Sequence, residues 1–300
     1  MRVFYCDHHE VRLPEGHRFP MAKYARLRRR LIATGVVRED ELVPAEPAPL
    51  DVVLRAHDPE YVRRFVDGTL EPKAIARIGF PWSRELVQRS LASVGATLAA
   101  VEAARADGFS GSLAGGTHHA RRGEGSGFCV FNDLAIAACE LLARAHARRV
   151  LVVDLDVHQG DGTASIFADD PRVFTFSMHG AKNFPGRKET SDLDIALDDD
   201  TSDDEYLERL DDALARAFEA SRPDFVLYQG GVDPLVADRL GRLALSQEGL
   251  LERDTRVFRE ARLRGLPIAA TLGGGYAEPI ELSIEAHVNT YRAARSCSRI

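Results

Sequence analysis

The sequence predicts an α/β fold in which helices cover both faces of a central parallel sheet. Short runs rich in Val, Ile, Leu and Phe recur along the chain, longer segments with helical spacing separate them, and polar residues directly follow the later runs. Such runs are typical of strands buried on both faces, and their alternation with helices is typical of a parallel sheet. A hydrophobic content of 45 % with 28 % charged residues is enough to bury a large core.

Six strands are predicted from these apolar runs. They cover residues 2–5, 112–114, 150–155, 173–177, 225–229 and 268–272. The proline-rich segment at residues 44–49 is predicted to be a loop, and it lies too near the N-terminus to separate two domains.

Capping residues and glycines delimit three predicted helices. One helix extends from residue 83 to residue 106 and ends at Gly108. A second begins with a capping box formed by Ser202 and Glu205 and runs toward residue 220, and a third runs from near Ser246 to Gly265. Because no repeat or low-complexity tract divides the chain, we expect one domain over residues 1–300.

Charge and apolar patterning exclude several classes of partner. The net charge of −7 disfavours direct nucleic-acid binding, which needs cations to neutralise phosphates, and it weakly favours cationic partners. The longest apolar runs fall well short of the roughly 20 residues that cross a bilayer. Because no signal-peptide pattern begins the sequence, we expect a cytoplasmic protein that does not bind membranes. The sequence leaves the oligomeric state open.

The four cysteines lack the spacing of a disulfide framework or a zinc ribbon. Any metal site must therefore use other ligands. Polar segments follow five predicted strands, namely residues 117–119, 154–158, 177–179, 230–233 and 273–276. Because ligands bind beyond the carboxyl ends of parallel strands, we expect these segments to converge on one pocket.

Asp154, Asp156 and His158 alternate directly after an apolar run. In a regular strand they would share one face at steps of roughly 7 Å, which places Asp154 about 13 Å from His158. Asp156 and His158 then reach one ion, whereas Asp154 supports another group or binds a second cation. Asp233, after a Gly-Gly turn, is predicted to complete the ligand set and leave an open coordination position, as in catalytic sites. The alternative is that these residues merely cap strands and turns.

The adjacent His118 and His119 can both face one pocket only in an irregular loop, which Gly115 and Gly116 permit. A carboxylate behind each imidazole would tune it as a general base or a fixed charge, and Asp154 and Asp161 are available for this. Tyr276, after three glycines, would present its phenol to a developing oxyanion. An ordinary surface loop for the histidines and an ordinary strand end for Tyr276 remain alternatives.

Together the motifs resemble the zinc-dependent histone deacetylase superfamily, most closely its bacterial and class IV-like members. The motifs are Gly116 to Ala120, Gly125 to Asp133, Asp154 to Gly162, Gly231 to Asp233 and Gly273 to Tyr276, with His17 to Met21 and Asp238 to Gly241 similar to that branch. The resemblance implies a single-domain arginase/deacetylase α/β fold with a central parallel sheet and helices on both faces.

The resemblance also implies an activity. It implies a metal-dependent amidohydrolase that removes an acyl group from acyl-lysine, an acylpolyamine or another small acylated amine and releases a carboxylate such as acetate. Asp156, His158 and Asp233 would bind Zn²⁺, with Fe²⁺ or Mn²⁺ as substitutes. The catalytic residues would be His119 as the general base, His118 as a charge stabiliser, Tyr276 as the residue that polarises the carbonyl, and Asp154 and Asp161 as the carboxylates that orient the histidines.

Further residues match other features of this superfamily. Gly127, Phe128 and Phe184 match the narrow channel for the acyl-lysine stem. A structural K⁺ site would use Asp154, Asp156, His158, Ser177 and Met178. Gln159 departs from the pattern, because class I members usually carry a second histidine there.

Two rival functions fit the motifs less well. A ureohydrolase with two manganese ions needs a D-x-H-x-D segment, and here Gly160 occupies the place of the last carboxylate. A module that binds acyl-lysine without turnover has no need of His118, His119 and Tyr276, so their presence counts against it. The sequence does not decide between protein acyl-lysine, acetylpolyamines and small metabolite amides, nor does it set the length of the acyl chain.

Overall fold

The computed structural model describes residues 1–297 and contains one eight-stranded sheet in the order β2-β1-β3-β8-β7-β4-β5-β6. Every neighbouring pair of strands is parallel. The strands are β1 (Arg2–Tyr5), β2 (Leu42–Pro44), β3 (Phe109–Ser112), β4 (Val150–Asp154), β5 (Val173–Gly180), β6 (Leu193–Leu197), β7 (Phe225–Gln229) and β8 (Ile268–Thr271). The predicted α/β class with a parallel sheet is confirmed.

Helices occupy most of the connections between the strands. They are α1 (Lys23–Ala33), α2 (Leu50–Val53), α3 (Pro59–Asp67), α4 (Pro72–Ile78), α5 (Arg84–Asp107), α6 (Asp133–Ala143), α7 (Asp161–Phe167), α8 (Asp203–Ser221), α9 (Gln247–Leu263) and α10 (Glu281–Cys297), with a 3-10 turn at Glu39–Glu41. Within residues 1–297, none of the helices has the length and apolarity needed to span a membrane.

The central strand β4 shows how both faces of the sheet are covered. Leu151 and Val153 pack with apolar residues of α8, α9 and α10. Val150 and Val152 face the other way and pack with α5 and α6. Burying one such side chain contributes about 1.5–3 kcal/mol, so an uninterrupted apolar run is what a strand between two helical layers requires.

The two strands that the sequence did not predict are the edges of the sheet, β2 and β6. Pro44, which belongs to the predicted proline-rich loop, is the last residue of β2. In β6, Asp194 and Ile195 are only partly buried. An edge strand pairs on one side and tolerates proline and polar residues, so it lacks the continuous apolar run that identified the inner strands.

Strand β3 begins at Phe109, before the residues 112–114 that the sequence predicted. Its sequence is Phe-Ser-Gly-Ser, which is poor in strand-forming residues. A Cβ on Gly111 would lie 2.8 Å from the ring of Tyr291, so α10 packs directly against the backbone of this strand. Close packing therefore selects the small residues that concealed β3 in the sequence.

The predicted helices are confirmed, but one cap differs. Ser83 accepts a hydrogen bond from the Leu86 amide at the start of α5, and the helix ends before Gly108 as predicted. Helix α8 does begin after Ser202, yet the Ser202 side chain makes no capping hydrogen bond, so the predicted capping box with Glu205 is wrong. Instead the Asp203 carboxylate accepts a hydrogen bond from the backbone amide of Ser246, the residue that caps α9.

Candidate metal centre and catalytic site

Asp156, His158 and Asp233 form a compact cluster beyond the carboxyl ends of β4 and β7. One potential ligand atom from each residue lies within 4.8 Å of those of the other two. Nδ1 of His158 is 2.9 Å from Oδ1 of Asp156 and 3.1 Å from Oδ2 of Asp233. Both aspartates are buried, whereas 12 % of the His158 side chain is exposed.

Backbone and amide donors hold the other oxygen of each aspartate. Oδ2 of Asp156 accepts hydrogen bonds of 2.8 Å from Nε2 of Gln229 and from the Gly274 amide. Oδ1 of Asp233 accepts one of 2.9 Å from the Val157 amide. The oxygens that face His158 are therefore oriented before any ion binds.

The regular alternation predicted for Asp154, Asp156 and His158 is wrong in its geometry. Strand β4 ends at Asp154, and the chain then turns. The Asp156 amide donates to Oδ1 of Asp154 at 3.2 Å, and the His158 amide donates to Oδ1 of Asp156 at 3.0 Å. These side-chain to backbone hydrogen bonds curl the segment, so the expected separation in an extended strand does not apply.

The electrostatics of the cluster favour bound positive charge. Burial alone would lower the pKa of His158, but its hydrogen bonds to Asp156 and Asp233 outweigh burial and raise that pKa to about 10. Burial and the charge of Asp156 raise the pKa of Asp233 to about 7. Two carboxylates and one imidazole at these distances fit a divalent ion such as Zn²⁺, because the cation offsets the charge that burial disfavours.

Two glycines shape the loop that carries His118 and His119. Gly115 and Gly116 have φ angles of +78° and +77°, a region that favours glycine. A Cβ on Gly116 would lie 2.5 Å from the backbone nitrogen of Gly273, so this loop packs against the glycines before Tyr276. Both histidines are buried and line one cavity, in the irregular loop that the sequence required.

Each histidine has a carboxylate behind it. Nδ1 of His118 lies 2.6 Å from Oδ2 of Asp154, and Nδ1 of His119 lies 2.7 Å from Oδ1 of Asp161. Burial alone would lower the pKa of His118, but the charges of Asp154 and Asp156 raise it to about 9. Burial and the neighbouring His118 lower the pKa of His119 to about 4, so near pH 7 the two imidazoles differ in charge.

Tyr276 lines the same cavity as the histidines and the acidic cluster. Its backbone amide donates a 2.6 Å hydrogen bond to Oδ2 of Asp238, which fixes the end of the glycine segment. Burial raises the pKa of its phenol well above 10, so the hydroxyl keeps its proton. Nζ of the buried Lys23 lies 5.4 Å from the ring centroid and donates to the Gly275 carbonyl at 3.1 Å.

Aromatic rings and a glycine form the wall of the cavity, which has a volume of about 800 Å³. The ring centroids of His119 and Phe184 are 4.9 Å apart, and those of Phe128 and Phe80 are 5.3 Å apart. A Cβ on Gly127 would lie 2.7 Å from the His119 ring, so any larger residue there would press on that histidine. Gly127, Phe128 and Phe184 thus line the same cavity as the acidic cluster.

Residues predicted for a K⁺ site lie next to one another, and the polar side chains of Asp154 and Ser177 contact other protein groups. Asp154 pairs with Ser177 across β4 and β5, and Met178 follows Ser177 in β5. The Asp154 carboxylate contacts His118 and the Asp156 amide, and the Ser177 hydroxyl lies 3.0 Å from Nδ1 of His179. Potassium binding stays a prediction.

The supporting contacts of Gln159 and Arg121 were not predicted, because each residue acts through a partner that is distant in the chain. Gln159 hydrogen-bonds to the Glu189 carbonyl and to Asp194 in β6, both at 2.8 Å. Arg121 bridges Oδ2 of Asp161 at 3.1 Å and Oε2 of Glu189 at 2.8 Å. The position of Arg121 directly after the Gly116 to Ala120 motif was the one sequence feature that could have indicated its role. Its partners Asp161 and Glu189 lie far away in the chain.

Comparisons with known proteins agree with this geometry. Residues 17–291 match the histone deacetylase domain family. A protein of Picosynechococcus sp. that carries no functional name is 45 % identical over 293 residues, 98 % of each chain. Histone deacetylase 2 of Arabidopsis thaliana is 31 % identical over 271 residues, 87 % of this chain and 70 % of the relative.

The fold is also similar to a solved structure. The crystal structure of an HDAC homologue from Aquifex aeolicus superposes with a TM-score of 0.83 at 23 % identity, covering 99 % of this chain and 88 % of that one. At 23 % identity this similarity establishes a shared fold alone. The sequence match spans most of the chain, so the resemblance seen in the motifs is confirmed, and the chain belongs to the histone deacetylase family.

Proposed function

We propose that this protein is a metal-dependent deacylase that hydrolyses the amide of an acylated lysine or a related acylated amine. The observation that carries the proposal is the convergence of the Asp156, His158 and Asp233 cluster with His118, His119 and Tyr276 on one cavity. A ligand-binding module has no need of a general base beside a metal site.

Asp156, His158 and Asp233 would hold the ion, which we propose to be Zn²⁺, with Fe²⁺ or Mn²⁺ as substitutes for this mixed nitrogen and oxygen ligand set. The ion supplies Lewis acidity toward the amide carbonyl and toward water. A structural K⁺ at the Asp154 and Ser177 positions and a cytoplasmic location remain part of the proposal.

His119 acts as the general base. Its Nδ1 is held by Asp161, which leaves Nε2 for a proton of the attacking water. The low pKa keeps the ring unprotonated near neutral pH, as a base must be. When the carbon–nitrogen bond breaks, the proton passes from His119 to the departing amine, and the acyl group leaves as a carboxylate.

His118 and Tyr276 stabilise the charge that develops. The Asp154 carboxylate at Nδ1 favours the protonated form of His118, which would provide positive charge close to the reacting carbon. The protonated phenol of Tyr276 donates a hydrogen bond to the carbonyl oxygen, and this bond strengthens as the oxygen becomes an oxyanion.

A panel of acylated amines tests the proposal. Wild-type enzyme with bound metal is expected to release acetate and free amine from acetyl-lysine peptides or acetylpolyamines. Proton NMR detects both products. Peptides with longer acyl chains establish the size limit of the cavity. No hydrolysis of any panel member by metal-loaded protein would contradict the deacylase proposal.

Metal stoichiometry provides a second, independent prediction. Protein purified without added metal is expected to contain one divalent transition ion per chain by elemental analysis, because the cluster offers one set of three ligands. Asp233→Asn is expected to lose most of this metal, whereas Asp212→Asn, at a side chain 70 % exposed on α8, retains it. Two ions per chain at full occupancy would instead favour ureohydrolase-type chemistry.

A further inference from the structure

The outer end of the cavity carries exposed charges of one sign. Four exposed charged side chains line it, and all are cations: Arg18, Arg77, Lys182 and Arg242. The side chains of Arg77, Lys182 and Arg242 are 40, 67 and 56 % exposed. The acidic residues that line the cavity, Asp156 and Asp233, are buried at its inner end. A ligand that enters therefore passes cations before it reaches the metal centre.

Neighbouring carboxylates neutralise only part of this charge. Arg77 forms an ion pair with Glu124. Lys182 and Arg242 share one carboxylate, with Nζ and Nη1 lying 3.2 and 3.3 Å from the same Oδ2 of Asp199. The described residues offer Arg18 no ion pair or side-chain hydrogen bond. We call the four exposed cations Arg18, Arg77, Lys182 and Arg242 the rim of the cavity. The rim has more cations than paired carboxylates, which are those of Glu124 and Asp199.

The acidic residues that neighbour these cations or their paired carboxylates do not line the cavity. Asp198 and Asp200 flank Asp199 in the chain, but neither lines the cavity. Glu124 and Asp199 also lie outside its wall. Among residues 1–297, no exposed carboxylate is therefore placed at the cavity wall to receive a cationic group of the substrate.

The sign of the rim is opposite to that of the whole chain, which carries a net charge of −7. Salt screens charges over a Debye length of about 10 Å at 0.1 M ionic strength, so the charges beside the cavity act on a docked substrate more strongly than distant ones. The net charge predicted a weak preference for cationic partners, whereas the charges beside the cavity favour anionic ones.

We propose that this enzyme prefers acylated amines that carry a carboxylate close to the acylated stem. The inference rests on the proposed deacylase function and specifies its substrate class. The acyl group occupies the inner end of the cavity, and the carboxylate lies between Arg18, Lys182 and Arg242 at the rim. That carboxylate is either an Asp or Glu beside acyl-lysine in a peptide or the free α-carboxylate of acyl-lysine itself.

The first experiment compares substrates that differ only in charge. Acetyl-lysine peptides flanked by Glu, Gln or Lys are assayed in 20 mM and 500 mM NaCl, together with Nε-acetyl-lysine and its methyl amide. Because exposed ion pairs are weak, the Glu peptide is expected to exceed the Gln peptide by about 2- to 5-fold in kcat/KM at low salt, mainly through KM. The advantage is expected to shrink in high salt. Comparison of the free amino acid with the peptides distinguishes the two sources of the carboxylate.

The second experiment assigns the preference to the rim. The double variant Arg18→Gln/Arg242→Gln is expected to bring the ratio of kcat/KM between Glu and Gln peptides close to one. The matched control is Arg148→Gln, which changes an exposed arginine just before the amino end of β4, whereas the site lies beyond the carboxyl end of that strand, and it is expected to preserve the ratio.

Binding measurements separate failure of this inference from failure of the deacylase proposal. Calorimetric Kd values for the Glu and Gln peptides are measured on metal-loaded Tyr276→Phe protein, whose rim is intact. Tighter binding of the Glu peptide supports the inference even if no peptide is hydrolysed. The inference is overturned, with the deacylase proposal left standing, by a preference for the Lys peptide, or by equal or weaker binding of the Glu peptide together with no preference for Nε-acetyl-lysine over its methyl amide.

Discussion

Replacing His119 by alanine is expected to lower kcat by about 10² to 10⁴-fold, the usual contribution of a general base. The imidazole is buried, its Nδ1 lies 2.7 Å from Asp161, and its low pKa leaves it unprotonated near pH 7. In the variant Asp161 keeps its contact with Arg121 at 3.1 Å, so the carboxylate does not lose every partner. The effect is measured by steady-state kinetics on an acetyl-lysine peptide at pH 7.

The controls test whether the loss is chemical. His119 is not one of the proposed metal ligands, so the variant is expected to retain its metal by elemental analysis and its fold by circular dichroism. His146→Ala removes a partly exposed histidine that pairs with Glu102 away from the cavity, and it is expected to leave kcat unchanged. A loss of less than tenfold in His119→Ala would assign the base to another group.

Tyr276→Phe is expected to lower kcat by about 10² to 10³-fold with little change in substrate affinity, because it removes one oxyanion donor. The substitution deletes only the hydroxyl. The ring contacts with Phe19 and Phe128, at centroid distances of 6.2 Å, and the approach of Lys23 do not depend on that hydroxyl. Single-turnover kinetics separate this loss in the chemical step from any change in product release.

The result for Tyr276→Phe also separates an enzyme from a binding module. Tyr5→Phe, at a tyrosine in β1 that contacts Arg28 rather than the cavity, is the matched control and is expected to keep wild-type rates. If the wild-type protein hydrolyses no acylated amine and Tyr276→Phe alters only affinity, the cavity binds acylated ligands without converting them.

The sequence predicted the parts of the fold and site that depend on local pattern. The inner strands β4, β7 and β8 have apolar runs because both of their faces are buried, and the polar residues after them do converge. Gly115 and Gly116 indicated an irregular loop, and both have positive φ. The family motifs then added roles that pattern alone left open.

What the sequence did not predict depends on partners far apart in the chain. The turn after Asp154 replaces the extended strand because side-chain oxygens accept hydrogen bonds from backbone amides two residues later, which an apolar pattern does not show. Lys23 contacts Gly275, and Arg121 joins Asp161 to Glu189, through tertiary packing alone. The cationic rim is also invisible in the sequence, because Arg77 lies in α4, the other three residues lie outside the helices and strands, and their shared position arises only on folding.

The way the acidic cluster is assembled ties metal affinity to conformational stability. Asp156 and His158 follow β4 and Asp233 follows β7, so the unfolded chain does not hold the three groups together. An ion that binds the native chain alone raises the free energy of unfolding, by about 2.7 kcal/mol when its free concentration is a hundred times Kd. Under the proposed function, chelation is therefore expected to lower the resistance of the chain to heat and proteolysis as well as its capacity for turnover.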